Sequence, residues 1–278
     1  MEIVDNYVHI DDRIVYIDQN IPGPAEGEEY DEIINSFNSQ LTGYCECNNS
    51  KCNSRTCACL QKCGGANYLV SFDGNVNFVL SNKDFNIFSI IECNSLCGCS
   101  NECSNRMVQK GPLSCLIVQD CGTKGVGLFT KNRILKGTFV CEYAGEVITK
   151  YTALKRQQAN LAEGNMNYIY CLNEFCNGCV TQTFVDPTYF GNIGRYMNHS
   201  CEPNCFMIPV RVDTPVPKFA LFTNKDVLEN EELTFDYSFS KIESLYENIH
   251  PNIGGTKRKK CLCNSLNCRQ FMNEEIHK

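Results

Sequence analysis

Gly194-Arg195-Tyr196-Met197-Asn198-His199-Ser200-Cys201 packs a guanidinium, an amide, an imidazole, a hydroxyl and a thiol into one short stretch. Further on, Thr234-Phe235-Asp236-Tyr237 adds two aromatic rings two residues apart. Several common chemistries do not fit. A serine hydrolase needs a nucleophile on a strained elbow, and G-x-S-x-G is absent. Gly125-Val126-Gly127 lacks the third glycine of a dinucleotide fingerprint and sits among strand-like residues, so it reads as a tight turn. A catalytic zinc asks for His ligands and an open position. Of four histidines, only His199 stands in a motif.

The chain has 21 cysteines. Cys45, Cys47, Cys52, Cys57 and Cys59 form C-x-C-x4-C-x4-C-x-C, and Cys93, Cys97, Cys99 and Cys103 form C-x3-C-x-C-x3-C. Zinc takes four thiolates, so three zincs ask for twelve thiolate positions. These nine cysteines fill them if three thiolates each bridge two metals, which requires the two blocks to meet while residues 64–92 loop out. A tenth ligand, Cys63, and a disulfide knot are the alternatives. Met1–Asn20 has no basic n-region and holds five acidic residues. A reducing compartment is therefore expected, where close cysteine spacing reads as metal binding. An all-thiolate cluster leaves no position for water and reads as structural. The tail repeats the spacing once, with Cys261, Cys263 and Cys268 as C-x-C-x4-C. Three thiolates are one short, and Cys201 is the natural fourth. Cys63, Cys115, Cys121, Cys141, Cys171, Cys176, Cys179 and Cys205 remain, and most read as small core residues.

Mostly short strands must position these groups. The pattern predicts strands near 14–17, 113–118, 124–129, 137–148 with a turn at Gly145, 167–172, 183–189, 206–212, 218–223 and 232–237. Cys176–Cys179 marks a hairpin turn. One helix is predicted over Tyr151–Glu163, stopped by Gly164. Glu26–Asp31 reads as a solvated loop. Gly254–Lys260 reads as a flexible linker, its basic run a solvated face before it is a nuclear-localisation or nucleic-acid signal. The result is an irregular, mostly β fold. No apolar run is long enough to span a bilayer. A net charge of −7 argues against broad binding to nucleic acid and suits a basic peptide partner.

Four motifs in this order resemble the SET-domain lysine methyltransferases of the Su(var)3-9 branch. The nine-cysteine block is similar to a pre-SET domain. Arg195–Asn204 has R-x-x-N-H-S-C-x-P-N spacing, Phe235-Asp236-Tyr237 is similar to the family's F/Y-D-Y, and the terminal cysteines resemble a post-SET motif. The likeness covers about residues 41–270. It implies a mostly β SET-domain fold of short curled sheets with a knot-like active site, plus zinc-cluster pre-SET and post-SET modules. The implied segments are 1–40 as an N-terminal lead-in, 41–111 as a three-zinc pre-SET cluster, 112–240 as the SET catalytic domain, and 241–278 as linker and one-zinc post-SET motif.

The resemblance also implies a reaction, methyl transfer from S-adenosylmethionine to a lysine of a histone tail. Histone H3 is the expected substrate, at position nine from the branch or thirty-six from a similarity to one of its members, with the enzyme in the nucleus on chromosomes. Lys124, Gly125, Val126, Tyr168, Arg195, Asn198 and His199 match cofactor-contact positions. A glycine turn lets backbone approach the cofactor, and Arg195 or Lys124 can face its carboxylate. Val126 stands where the family usually has Trp. Lysine, with a pKa of about 10.4, must lose a proton to attack, which an apolar channel favours. Tyr237 and Tyr143 are the expected catalytic hydroxyls; out of this context they would read as half-buried sheet residues. Phe235 has no hydroxyl to hold a blocking water, which implies di- or trimethylation. Two rival readings are a catalytically weak chromatin scaffold, supported only by Val126, and a zinc-storage protein, against which the motif order argues.

Overall fold

The computed structural model describes residues 13–24, 28–48, 52–72, 76–81, 90–176, 179–237 and 259–272. Its organising element is the strand Lys218–Thr223, buried at every residue after the first. That explains its near-continuous apolar run: a strand covered on both faces cannot alternate. It pairs with Cys205–Arg211 on one side and Phe139–Glu142 on the other, and Ile90–Ile91 completes this four-stranded sheet. Phe219, Leu221 and Phe222 are fully buried there. Burying each such side chain is worth about 1.5–3 kcal/mol.

Two further four-stranded sheets surround it. One runs Tyr170–Cys176, Cys179–Asp186, Glu146–Ile148, Ile21–Pro22. The other runs Asn198–His199, Glu232–Phe235, Val126–Thr130, Leu116–Asp120. The stretch over 137–148 splits at Gly145 as expected, but its two strands enter different sheets. A Cβ at Gly145 would lie 2.6 Å from the Asp186 backbone, so only glycine lets the chain turn there. The helix Lys150–Glu163 begins with Thr149, whose side chain accepts from the Thr152 N–H, and ends with Gly164 at φ 73.

The structure corrects three readings. Glu28–Asn38 is a helix, where Glu26–Asp31 reads as a loop; its first acidic turn hides Ile33, Ile34 and Phe37, whose spacing puts them on one face. Phe37 packs against the main core. Residues 64–92 are not a bare excursion. Tyr68–Phe72 and Val76–Leu80 form a hairpin, and Ile90–Ile91 joins the central sheet. Lys259–Lys260 pairs with Phe271–Met272, so the end of the basic run is strand; residues 241–258 lie outside the described residues. Of the leftover cysteines, Cys63, Cys141 and Cys205 are buried, whereas Cys179 is exposed on its hairpin. Among the described residues, no helix is long and apolar enough to cross a membrane.

Glu92 sits where the cysteine-rich lobe meets this body, its N–H donating to the Arg211 carbonyl at 2.9 Å. Its carboxylate, fully buried, accepts from the Tyr68 hydroxyl at 2.7 Å, from the N–H groups of Met107, Val108 and Gln109, and from the Gln109 amide at 2.8 Å. Glu92→Gln turns one acceptor oxygen into a donor facing donors. It should cost about 3 kcal/mol. A thermal midpoint lowered by several degrees checks this, and an unchanged midpoint contradicts it.

Candidate active site

The parallel pairing of Asn198 with Thr234 and His199 with Phe235 lays the two chemistry-bearing stretches side by side. Ser200 N–H extends the ladder to the Phe235 carbonyl at 3.1 Å. The chain between them leaves as the Cys205–Arg211 and Lys218–Thr223 hairpin, so one short loop and one strand end carry most of the site.

At its centre is a run of aromatic rings. Phe235, 2% exposed, lies 5.7 Å from the Tyr143 ring, 5.8 Å from Tyr170 and 4.9 Å from Tyr237. Tyr143 and Tyr170 meet edge to face at 6.2 Å. The Tyr143 hydroxyl donates to the Tyr168 carbonyl at 2.5 Å, and the Tyr237 hydroxyl donates to the Met197 carbonyl at 2.9 Å. Burial raises both phenols above their ordinary range, so both keep their protons. Tyr170 is absent from the sequence reading. The alternation Tyr168-Ile169-Tyr170, which puts both rings on one side of an extended chain, is the signal that finds it.

Beside the rings lies the glycine turn. Gly122 and Gly125 have φ of 60 and 81, and a Cβ at either would meet nothing within 4 Å. The turn is an open cradle where another molecule can approach backbone. Asn198 Nδ2 donates to the Val126 carbonyl at 3.1 Å and to Glu232 Oε1 at 2.9 Å. Lys124 Nζ lies 2.6 Å from Glu232 Oε2. Cys121, among the leftover cysteines, also approaches Glu232. Glu232 thus gathers the turn, and no motif announced it. The Arg195 guanidinium sits 4.2 Å over the Tyr168 ring, while its Nε donates to the Pro187 carbonyl. Cation, amide and exposed backbone therefore converge on one cradle, and this donor set fits the amino-acid end of S-adenosylmethionine. Val126 is half-buried against the core.

The His199 side chain is engaged within the chain. Its ring is buried, with Nδ1 accepting the Tyr237 N–H at 3.2 Å and Nε2 lying 3.3 Å from Cys201 Sγ. Burial keeps the imidazole below its ordinary pKa and therefore neutral. With Nδ1 accepting, Nε2 carries the proton and donates to the sulfur. Both nitrogens are engaged within the chain, so the ring ties Tyr237 to Cys201.

The thiols gather as the spacing requires. Cys45, Cys52 and Cys93 stand at the corners of a triangle with 3.9 Å between each pair of sulfurs. Cys59 and Cys97 group with the Cys45–Cys93 edge, Cys99 and Cys103 with the Cys52–Cys93 edge, and Cys57 with Cys45 and Cys52. The Cys47 thiol neighbours Cys45, Cys52 and Cys57, which puts all nine around the triangle. Cys63 packs against Ile91 and Asn67, outside these groups. Burial, with the Cys103 and Cys57 thiols beside it, drives the Cys52 thiol far above its ordinary pKa. Such crowding suits thiolates only when cations offset it. Nine thiolates and three zincs would leave a charge of about −3, and N–H donors from Asn105 and Arg106 point at the sulfurs. The donor set fits zinc. In the tail, Cys201, Cys261, Cys263 and Cys268 bring their sulfurs within 4.8 Å of one another.

Family models agree with this architecture. One described as the SET domain matches residues 125–238, and one described as the Pre-SET motif matches residues 2–106. The chain belongs to the SET-domain family of histone-lysine N-methyltransferases. It is 43% identical over 235 residues to Histone-lysine N-methyltransferase SETMAR of Rattus norvegicus, covering 82% of this chain and 71% of that one. It is 38% identical over 262 residues to Probable histone-lysine N-methyltransferase set-23 of Caenorhabditis elegans, covering 92% and 95%. The match to Homo sapiens SETMAR spans only 33% of that longer protein. The crystal structure of the human SETMAR methyltransferase domain superposes with a TM-score of 0.73 at 38% identity, covering 94% of this chain and 89% of that one.

Proposed function

We propose that this chain methylates a lysine of a histone tail, with histone H3 as substrate, acting in the nucleus on chromatin. The observation that carries this reading is the ring cluster of Tyr143, Tyr170, Phe235 and Tyr237 set against the open glycine turn. S-adenosylmethionine, when bound, supplies an activated methyl group on a sulfonium. Lys124, Gly125, Val126, Tyr168, Arg195, Asn198 and His199 would hold it, with the His199 ring also bracing the loop. Apolar ring faces receive the lysine stem and strip water from its amine, which favours the neutral, attacking form. Tyr237 orients that amine through its hydroxyl, and Tyr143 fixes the opposite wall. Alignment and electrostatics carry the catalysis. We assign residues 41–111 to the three-zinc module, 112–240 to the catalytic domain and 241–278 to linker and one-zinc tail, with 1–40 as lead-in. A solved relative 26% identical to this chain, KRYPTONITE, is described in complex with an H3(1-15) peptide and SAH, which supports the choice of substrate.

Labelled S-adenosylmethionine with a panel of histone peptides tests the reading. Label on a histone H3 lysine is expected. Cofactor binding without transfer to any histone peptide would overturn it in favour of a binding scaffold. Phe235 sets the product. Its ring is enclosed by three other rings, and a hydroxyl added there would hold water where a further methyl must fit. The wild type should yield di- or trimethyl-lysine, and Phe235→Tyr should shift mass spectra toward monomethyl product. An unshifted product distribution contradicts this.

A further inference from the structure

The tail is attached to the body in two chemically different ways. One is the thiol group of Cys201, Cys261, Cys263 and Cys268. The other runs mainly through carboxylates, although the Arg269 N–H also donates to Cys201 Sγ at 3.4 Å. Glu202 accepts from the Leu266 N–H at 3.1 Å and from the Asn267 amide at 2.5 Å. Arg269 Nη2 lies 2.6 Å from Asp236 Oδ1. Asp236 is the middle residue of Phe235-Asp236-Tyr237, and its side chain is 16% exposed against 45% for Arg269. The same Oδ1 stands 3.6 Å from His199 Nδ1, the atom that accepts the Tyr237 N–H. A guanidinium from the tail therefore grips the carboxylate directly before the tyrosine whose hydroxyl faces the ring cluster. A pair this open to water adds little to stability. Its consequence is geometric: a charge-assisted hydrogen bond restrains Asp236, and the backbone at Asp236 carries Tyr237.

We propose that Arg269 is a positioning residue for methyl transfer, holding Asp236 so that the Tyr237 hydroxyl keeps its direction, a role beyond its contact with the tail's thiol group. This rests on the reading of the chain as a lysine methyltransferase with Tyr237 as its orienting hydroxyl. It gives the tail a second role. Besides being anchored, the tail sets an angle at the reacting centre.

The test uses the full, metal-loaded chain with a histone H3 peptide. Arg269→Ala should lower kcat about tenfold, because small misplacements at a reacting centre are costly. The peptide KM, the cofactor Kd and the metal content per chain should stay near wild type. Arg269→Lys keeps the charge and should recover most of the lost rate. A kcat within twofold of wild type in Arg269→Ala overturns the inference. So does a fall in kcat accompanied by loss of the tail's metal, which would make Arg269 an anchor alone, and so does an Arg269→Lys as slow as Arg269→Ala. A wild type inactive on every histone peptide is a separate result, overturning the functional reading itself and this inference with it.

Discussion

Tyr237→Phe should lose about a hundredfold in kcat, roughly 2.7 kcal/mol of barrier, with cofactor affinity unchanged. The substitution removes one oxygen and leaves the ring. The Met197 carbonyl loses the donor that meets it at 2.9 Å, and the amine loses the oxygen that orients it. The main chain of residue 237 still donates to His199, so the fold and the tail thiols are untouched. Burial holds the hydroxyl above the ordinary tyrosine range, so the rate at neutral and mildly alkaline pH should follow the substrate lysine and show no second limb from Tyr237. Tyr143→Phe makes the useful contrast. Its hydroxyl holds the Tyr168 carbonyl, and the Tyr168 ring carries the Arg195 guanidinium. That variant should weaken cofactor binding as well as turnover. Single-turnover kinetics with isothermal titration of the cofactor separates the two. Equal loss of affinity in both variants would contradict the division of labour between them.

Cys93→Ser, the loss of a triangle corner, should damage the cysteine-rich lobe far more than the loss of a thiol at its edge. Its sulfur is a triangle corner and belongs to three of the thiol groups, whereas Cys59 belongs to one. A structural zinc contributes on the order of 10 kcal/mol of folding free energy, comparable with the whole stability of a typical domain. Metal analysis of the wild type should give four zincs per chain. Cys59→Ser should lose one, and Cys93→Ser at least two, with loss of soluble folded protein. Equal metal content in Cys59→Ser and Cys93→Ser would show that Cys93 is not shared.

The thiol chemistry was the most legible part of the chain. Tetrahedral zinc and nine cysteines already require shared thiolates, but spacing cannot say which. The triangle of Cys45, Cys52 and Cys93 depends on how residues 41–48 cross the second block, where the Gly98 N–H meets the Cys45 carbonyl. The strand Lys218–Thr223 was legible at its bounds and Cys205–Arg211 within a residue, whereas those expected over 113–118 and 167–172 lie at Leu116–Asp120 and Tyr170–Cys176. The helix Glu28–Asn38 was missed because its acidic first turn hid the spacing of its three apolar residues. Glu232, Asp236 and Arg269 were not legible as site residues. Each acts through a partner far away in sequence, Lys124, His199 and Asp236 in turn, and local pattern carries no trace of such pairs. His199 shows the same limit from the other side. Its motif marked it as important, but only the packing reveals that its ring looks inward.

Parallel pairing between distant segments has a consequence in time. Val15–Tyr16 lies beside Phe190–Gly191, Ile21–Pro22 beside Glu146–Val147, and the Asn20 amide donates to Pro217, 197 residues away. At ribosomal speeds of about 5–20 residues per second, Asn20 waits roughly ten to forty seconds after its own synthesis before that partner exists. The nascent chain therefore spends much of its synthesis with its first strands unpaired, while the cysteines of residues 45–103 have already emerged. Metal capture can precede closure of the catalytic body, and the strands within residues 15–22 are among the last parts to be locked in place.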